Sequence, residues 1–151
     1  MCNLWSYNKM IEYTRTNTLA KELVKKHEGD AGYDLYPIVE MDVGPGETVK
    51  ISTGIVMKKC PGNVVGLLKE RSGLALKKSI RIGGGVIDSN YRGEICVILQ
   101  NLGRDTFEVR MTQAVAQLVF LKLDDGIIEV HEGNTEVSSR GENGFGSTDA
   151  K

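Results

Sequence analysis

Alternating segments and short apolar runs follow one another along this chain, and turn residues interrupt them at short intervals. Between residues 48 and 57, Val49, Ile51, Ile55 and Met57 share one parity, with Lys50 and Ser52 on the other. A period of two places such residues on one face of a strand. Residues 106–111 alternate in the same way. Residues 64–68 and 94–100 are short apolar runs rich in Val, Ile and Leu, and 116–123 reads as a buried strand ended by Asp124, Asp125 and Gly126. A last short strand is expected over 127–131. The segments 43–47, 60–63 and 101–105 carry the Gly, Pro, Asn and Asp that favour turns. Short strands at this spacing predict an all-β sandwich or barrel. Helical pattern is confined to two places. Residues 74–78 predict one or two turns, with Ser72 as N-cap and Lys77 and Lys78 at the negative end of the helix dipole. Residues 19–26 have helical propensity over a short length.

Composition narrows the picture. A chain of 151 residues fits one domain, expected over 1–134, with a polar tail over 135–151. The formal net charge of −1 argues against bulk electrostatic binding to nucleic acid. No apolar run approaches the roughly 20 residues needed to span a bilayer. The first residues lack a basic segment followed by an apolar one, so no secretory signal is expected. Cys2, Cys60 and Cys96 are odd in number and widely spaced, which fits reduced thiols. A cytoplasmic location is therefore expected, or a nuclear or host-cell one for a eukaryotic or viral source. His27 and His131 have no ligand partner at metal-site spacing, so both read as surface residues rather than zinc ligands.

Five segments carry candidate chemistry. The tail reads Arg140-Gly141-Glu142-Asn143-Gly144-Phe145-Gly146-Ser147-Thr148. Arginine and hydroxyls suit phosphate, and a lone aromatic suits a planar ring; the bland alternative is a disordered polar end. Its glycine spacing imitates a P-loop, but the lysine and the following helix are missing. Gly83-Gly84-Gly85-Val86-Ile87-Asp88 leads to Tyr91-Arg92-Gly93. Three consecutive glycines cost backbone entropy, which close approach of a ligand would explain. Asp88 beside two apolar residues suits general-base work, while an ordinary hairpin turn at 88–90 explains the residues equally well. Glu70-Arg71-Ser72-Gly73 at a helix start forms either an anion site or a simple cap. Asp34 sits among apolar neighbours, and Gln117 falls within an apolar strand, where it needs a partner if buried.

In this order, the segments 31–35, 71–75, 83–93 and 116–118, completed by Arg140-Gly141 and 144–148, resemble the five motifs of the trimeric deoxyuridine triphosphate nucleotidohydrolases, the dUTPases. The likeness runs from about Tyr13 to Asp149. It implies a jelly-roll β-sandwich in a homotrimer, with three active sites between subunits. A C-terminal strand would cross to a neighbour, and the tail would close a site there. The implied reaction is hydrolysis of dUTP to dUMP and pyrophosphate, which limits uracil in DNA and supplies dUMP. By this resemblance Asp88 activates water for attack on the α-phosphorus. Gln117 helps hold the phosphate or the water. Arg71, Ser72 and Gly73 hold the phosphate chain. The backbone from Ile82 to Gly85 reads the uracil edge, and Tyr91 packs against deoxyribose. Phe145 stacks on uracil, with Arg140, Gly146, Ser147 and Thr148 at the γ-phosphate. Mg²⁺ rides on the triphosphate, reached by Asp34 through water. A related dCTP deaminase and a nucleotide-sensing regulatory module are the rival readings. Four residues depart from the family pattern: Glu70 adds negative charge beside Arg71, Asn90 stands where many members are acidic, and Thr112 and Ala114 occupy a region usually holding glycine and arginine.

Overall fold

The computed structural model describes residues 10–124 together with 133 and 137–139. Ten strands and one short helix follow in the order β1 (Glu12–Arg15), β2 (Gly32–Leu35), β3 (Met41–Val43), β4 (Thr48–Lys59), β5 (Val64–Lys69), α1 (Ser72–Lys78), β6 (Ile80–Gly83), β7 (Val86–Ile87), β8 (Glu94–Asn101), β9 (Phe107–Val109) and β10 (Ala116–Lys122). One four-stranded sheet runs β1-β4-β8-β6 and a second runs β2-β10-β5-β7, with a small β3-β9 pair beside them. This is the all-β fold that the strand spacing predicted, in the jelly-roll form that the family resemblance implied.

The alternation explains the layers. Ile51, Thr53, Ile55 and Met57 of β4 point inward, as do Ile95, Val97 and Leu99 of β8, and all are buried. They meet Leu35, Leu68, Ala116 and Leu118 from the opposite sheet in one core. Two polar residues are buried with them. The Thr53 hydroxyl donates to the Ile95 carbonyl at 2.5 Å. Asn101 donates through Nδ2 to the carbonyls of Val43 and Asp105, at 2.8 and 2.9 Å, and its Oδ1 accepts from Gly103 N–H at 2.9 Å. Such buried groups persist because their hydrogen bonds are made.

Three local expectations are revised. Residues 19–26 form no helix. Leu23 N–H donates to the Tyr13 hydroxyl, Val24 bridges Asp34, and Lys21 lies over the Tyr36 ring, so tertiary partners rather than helical turns hold this stretch. Ser72 is the first helical residue rather than the cap. Arg71 takes the cap position in an extended conformation without a side-chain cap hydrogen bond. The strand expected over 106–111 shortens to Phe107–Val109. The strand expected over 127–131 and the tail residues 140–148 lie outside the described residues. No helix among the described residues is long and apolar enough to cross a membrane.

Candidate functional site

Two hollows carry the residues that the sequence singled out. The first, of about 400 Å³, is walled by Gly83, Gly84, Gly85, Asp88 and Tyr91, with Lys50, Glu94 and Cys96 among the other residues around it. The turn that carries Asp88 is held by its own backbone, since Tyr91 N–H donates to the Asp88 carbonyl at 3.0 Å. Arg92 fastens it further, donating through Nη1 to the carbonyls of Ser89 and Tyr91. Tyr91 folds back over Gly93, where a Cβ would collide with its phenol, and its hydroxyl donates to the Glu94 carbonyl at 3.2 Å. Asp88 itself is exposed at the rim.

The glycines here answer to the fold as well as to any ligand. Gly84 and Gly85 have φ of 64° and 92°, a region that favours glycine. A Cβ on Gly85 would lie 3.0 Å from the Leu68 carbonyl oxygen. The hairpin therefore needs these two positions to turn against β5. Ile82 stands one residue before the wall, and its N–H donates to Glu70 Oε1 at 3.4 Å.

The second hollow, of about 390 Å³, gathers Asp34, Arg71, Ser72 and Gln117, with Lys26, His27 and Asp30 at its edge. Pairing of β2 with β10 sets Asp34 opposite Gln117. Gln117 donates through Nε2 to the Glu70 carbonyl at 2.8 Å, and the side chain lies against Gly32, where a Cβ would overlap Oε1. Arg71 Nε is 3.4 Å from Asp34 Oδ1, and its Nη1 donates to the Ala114 carbonyl at 3.2 Å. The guanidinium is thus fixed at two nitrogens. Ala114, which stands where the family commonly differs, is buried and supplies the backbone acceptor. Lys26 Nζ approaches Asp34 Oδ2 at 3.8 Å, beyond hydrogen-bond reach, and that buried oxygen has no hydrogen-bond partner. Gly73 faces an adjoining hollow of about 320 Å³ shared with Arg71, Ser72, Lys77, Lys78 and Gln113.

Within one chain the two hollows share no residue. Asp88, Tyr91 and Gly85 are brought together, as are Arg71, Ser72, Gln117 and Asp34, but not the one group with the other. Lys50, Glu94 and Cys96 were not singled out by the sequence. Their only signal is the parity that turns them away from the core. Burial pushes the Cys96 thiol up, with the nearby Glu94 carboxylate adding to it. Own-backbone hydrogen bonding, ahead of the Ile82 N–H and Lys69, holds the Glu70 carboxyl below the usual range against the upward push of burial. Among the described residues no three His, Cys, Asp or Glu side chains assemble as a metal cluster.

Comparison with known proteins fits this arrangement. The dUTPase family model matches residues 19–149. A deoxyuridine 5'-triphosphate nucleotidohydrolase from Alkaliphilus metalliredigens is 44% identical over 144 residues, covering 93% of this chain and 98% of the relative. One from Vaccinia virus (strain Copenhagen) is 40% identical over 141 residues, covering 93% and 94%. Among solved structures, the Staphylococcus bacteriophage 80alpha dUTPase with dUPNHPP is similar at a TM-score of 0.83 and 25% identity, over 91% of this chain and 97% of that one. A match that takes in both hollows and the strands between them, at this identity, leaves one conclusion: the chain belongs to the dUTPase family.

Proposed function

We propose that this protein hydrolyses dUTP to dUMP and pyrophosphate, with the base and sugar in the glycine-walled hollow and the triphosphate along Arg71, Ser72 and Gly73. What carries this reading is the family: relatives that match 93% of the chain are named for hydrolysis of that nucleotide. The division of residues between two separate hollows supports a homotrimer, in which the sugar-side wall of one subunit faces the phosphate-side wall of another. Val86 and Ile98, 63% and 40% exposed, leave apolar surface beside the first hollow for such a neighbour to cover.

Asp88 takes a proton from water as the water oxygen bonds to the α-phosphorus. The bond from that phosphorus to the bridging oxygen breaks, and the electron pair leaves on pyrophosphate. Tyr91 fills the space a 2′-hydroxyl would need. Arg71, pinned by Asp34 and Ala114, presents its charge without reorganising, which is where electrostatic stabilisation is effective. Gln117, locked between Gly32 and Glu70, orients phosphate or water. Phe145 on the base and Arg140, Gly146, Ser147 and Thr148 at the γ-phosphate complete the proposal from the tail, which we take as 135–151 outside a domain of 1–134. The chemistry of the second hollow fits Mg²⁺ held mainly by phosphate oxygens. Asp34 Oδ2 is a buried acceptor without a hydrogen bond, suited to a water of the ion's shell. When bound, the ion neutralises charge building on the phosphates.

The test is a nucleotide panel on the full chain with Mg²⁺, measuring pyrophosphate and ammonia. Pyrophosphate from dUTP alone is expected; ammonia from dCTP would establish the deaminase reading instead. Asp88→Asn should lose about a thousandfold or more in kcat while still binding a non-hydrolysable dUTP analogue, on the scale that general bases contribute. Full turnover in that variant refutes the assignment of the base.

A further inference from the structure

Glu70 is one of the residues whose place the family resemblance leaves unexplained. Beside a phosphate site its charge ought to repel the substrate. The structure engages that charge elsewhere. Oε2 lies 3.5 Å from Lys69 Nζ, and Oε1 accepts from Ile82 N–H at 3.4 Å; only 20% of the side chain is exposed.

The position of this contact matters more than its strength. Alongside β5, the β7 hairpin strand is held by the pairs Gly66 with Ile87 and Leu67 with Val86. The next tie is Leu68 N–H to the Gly85 carbonyl at 2.8 Å. There the backbone ladder stops, because Gly84 and Gly85 turn the chain away towards β6. β6 is the edge strand of the other sheet. An edge strand leaves outward N–H groups without a strand partner, and the Ile82 N–H is the one that Glu70 reaches. The glutamate side chain thus continues, across the gap between the sheets, a join that the backbone can no longer make. The carbonyl of the same residue accepts from Gln117, and the next residue is Arg71.

We infer that Glu70 is a positioning residue: it clamps the strand entering the glycine wall to the elbow that carries Arg71 and accepts from Gln117, and so holds the base-reading and phosphate-holding walls of a chain in fixed relation. This rests on the proposed dUTP hydrolysis. The element that does the work is an acceptor oxygen at the end of a two-carbon stem, not the negative charge.

Three variants of the full chain separate the possibilities, each assayed on dUTP and dTTP with Mg²⁺ alongside the wild type. Glu70→Ala should lower kcat/KM for dUTP up to about tenfold, mostly through KM, the upper end of what one lost ordinary hydrogen bond contributes. It should also narrow the preference for dUTP over dTTP by a similar factor, because the loosened strand leads into the base wall. Glu70→Gln keeps the acceptor and should restore both values to within about twofold of wild type. Glu70→Asp is too short for the contact and should behave as the alanine variant. Melting curves run in parallel separate this from general loss of structure, which lowers activity on both nucleotides alike. Wild-type kcat/KM and preference in Glu70→Ala overturn the clamp. A glutamine variant as impaired as alanine, or one with tighter KM than wild type, overturns it by showing that charge is what acts. A wild-type protein idle on dUTP sinks the proposed function itself, an outcome distinct from an active wild type with an insensitive Glu70→Ala.

Discussion

Gln117 shows how a single side chain acquires a role from its surroundings. In β10 it falls between the buried residues Ala116 and Leu118 and is itself half-buried. Its amide nitrogen is committed to the Glu70 carbonyl, and its oxygen occupies the space left by the missing side chain of Gly32. Gly32→Ala places a methyl group against that oxygen. The collision is chiefly with the far end of a flexible side chain, so Gln117 swings and the strand stays. We expect a stability loss of at most about 1 kcal/mol and, because orientation is lost at the site, a fall in kcat/KM of about tenfold or more. Thermal melting and steady-state kinetics on dUTP check both numbers. An unchanged rate with a displaced Gln117 would remove that residue from the chemistry. Much at this scale was legible in the sequence: Asp88, Tyr91, Arg71, Ser72 and Gln117 stand out because each breaks good local structure. Their partners were not, because Gly32 and Glu70 lie 85 and 47 positions from Gln117 in the chain, and pattern carries no information on such distances.

At the scale of elements, alternation predicted β4 and β9, and apolar runs bounded by turns predicted β5, β8 and β10. Both missed β1, β2, β3, β6 and β7, which have two to four residues each. Over such lengths periodicity carries almost no signal. The helical reading of 19–26 failed for the opposite reason, since local propensity yielded to Tyr13, Asp34 and Tyr36. Short elements need junctions that hold them in place, and Asn101 is the clearest. It ties the end of β8 to β3 and to the turn at 103–105 by three side-chain hydrogen bonds. Asn101→Ala strands the buried Val43 carbonyl and frees the turn. At about 1 kcal/mol for each bond, the expected loss is about 3 kcal/mol, with a Tm lower by roughly 10 °C. Thermal or denaturant unfolding measures it. A loss under about 1 kcal/mol would mean the turn is held by its backbone alone.

For the whole molecule, the separation of the two hollows has a consequence that no single residue reveals. In the proposed trimer two chains bind base and triphosphate together, and in a closed ring of three every chain gives one wall to each of two sites. A solution mass of three chains is therefore expected from sedimentation or light scattering. Removing residues 140–151 should leave that mass unchanged while kcat on dUTP falls by about a hundredfold or more, since the phosphate and base contacts proposed for the tail are lost together. A truncated protein with unchanged kcat would refute the tail's part in the site, and a monomer active on dUTP would refute the shared site.

By itself the amino-acid order determined the class of fold and the places of the long strands and named the candidates for the site, because period, turn chemistry and motif are local properties. Only the tertiary structure decided that Glu70 serves as an acceptor for an edge strand, that two of three glycines are demanded by a turn against β5, and that Ala114 braces Arg71. Those outcomes depend on which backbone groups find themselves opposite one another once the sheets close, and long-range pairing is fixed by packing rather than by neighbours in sequence.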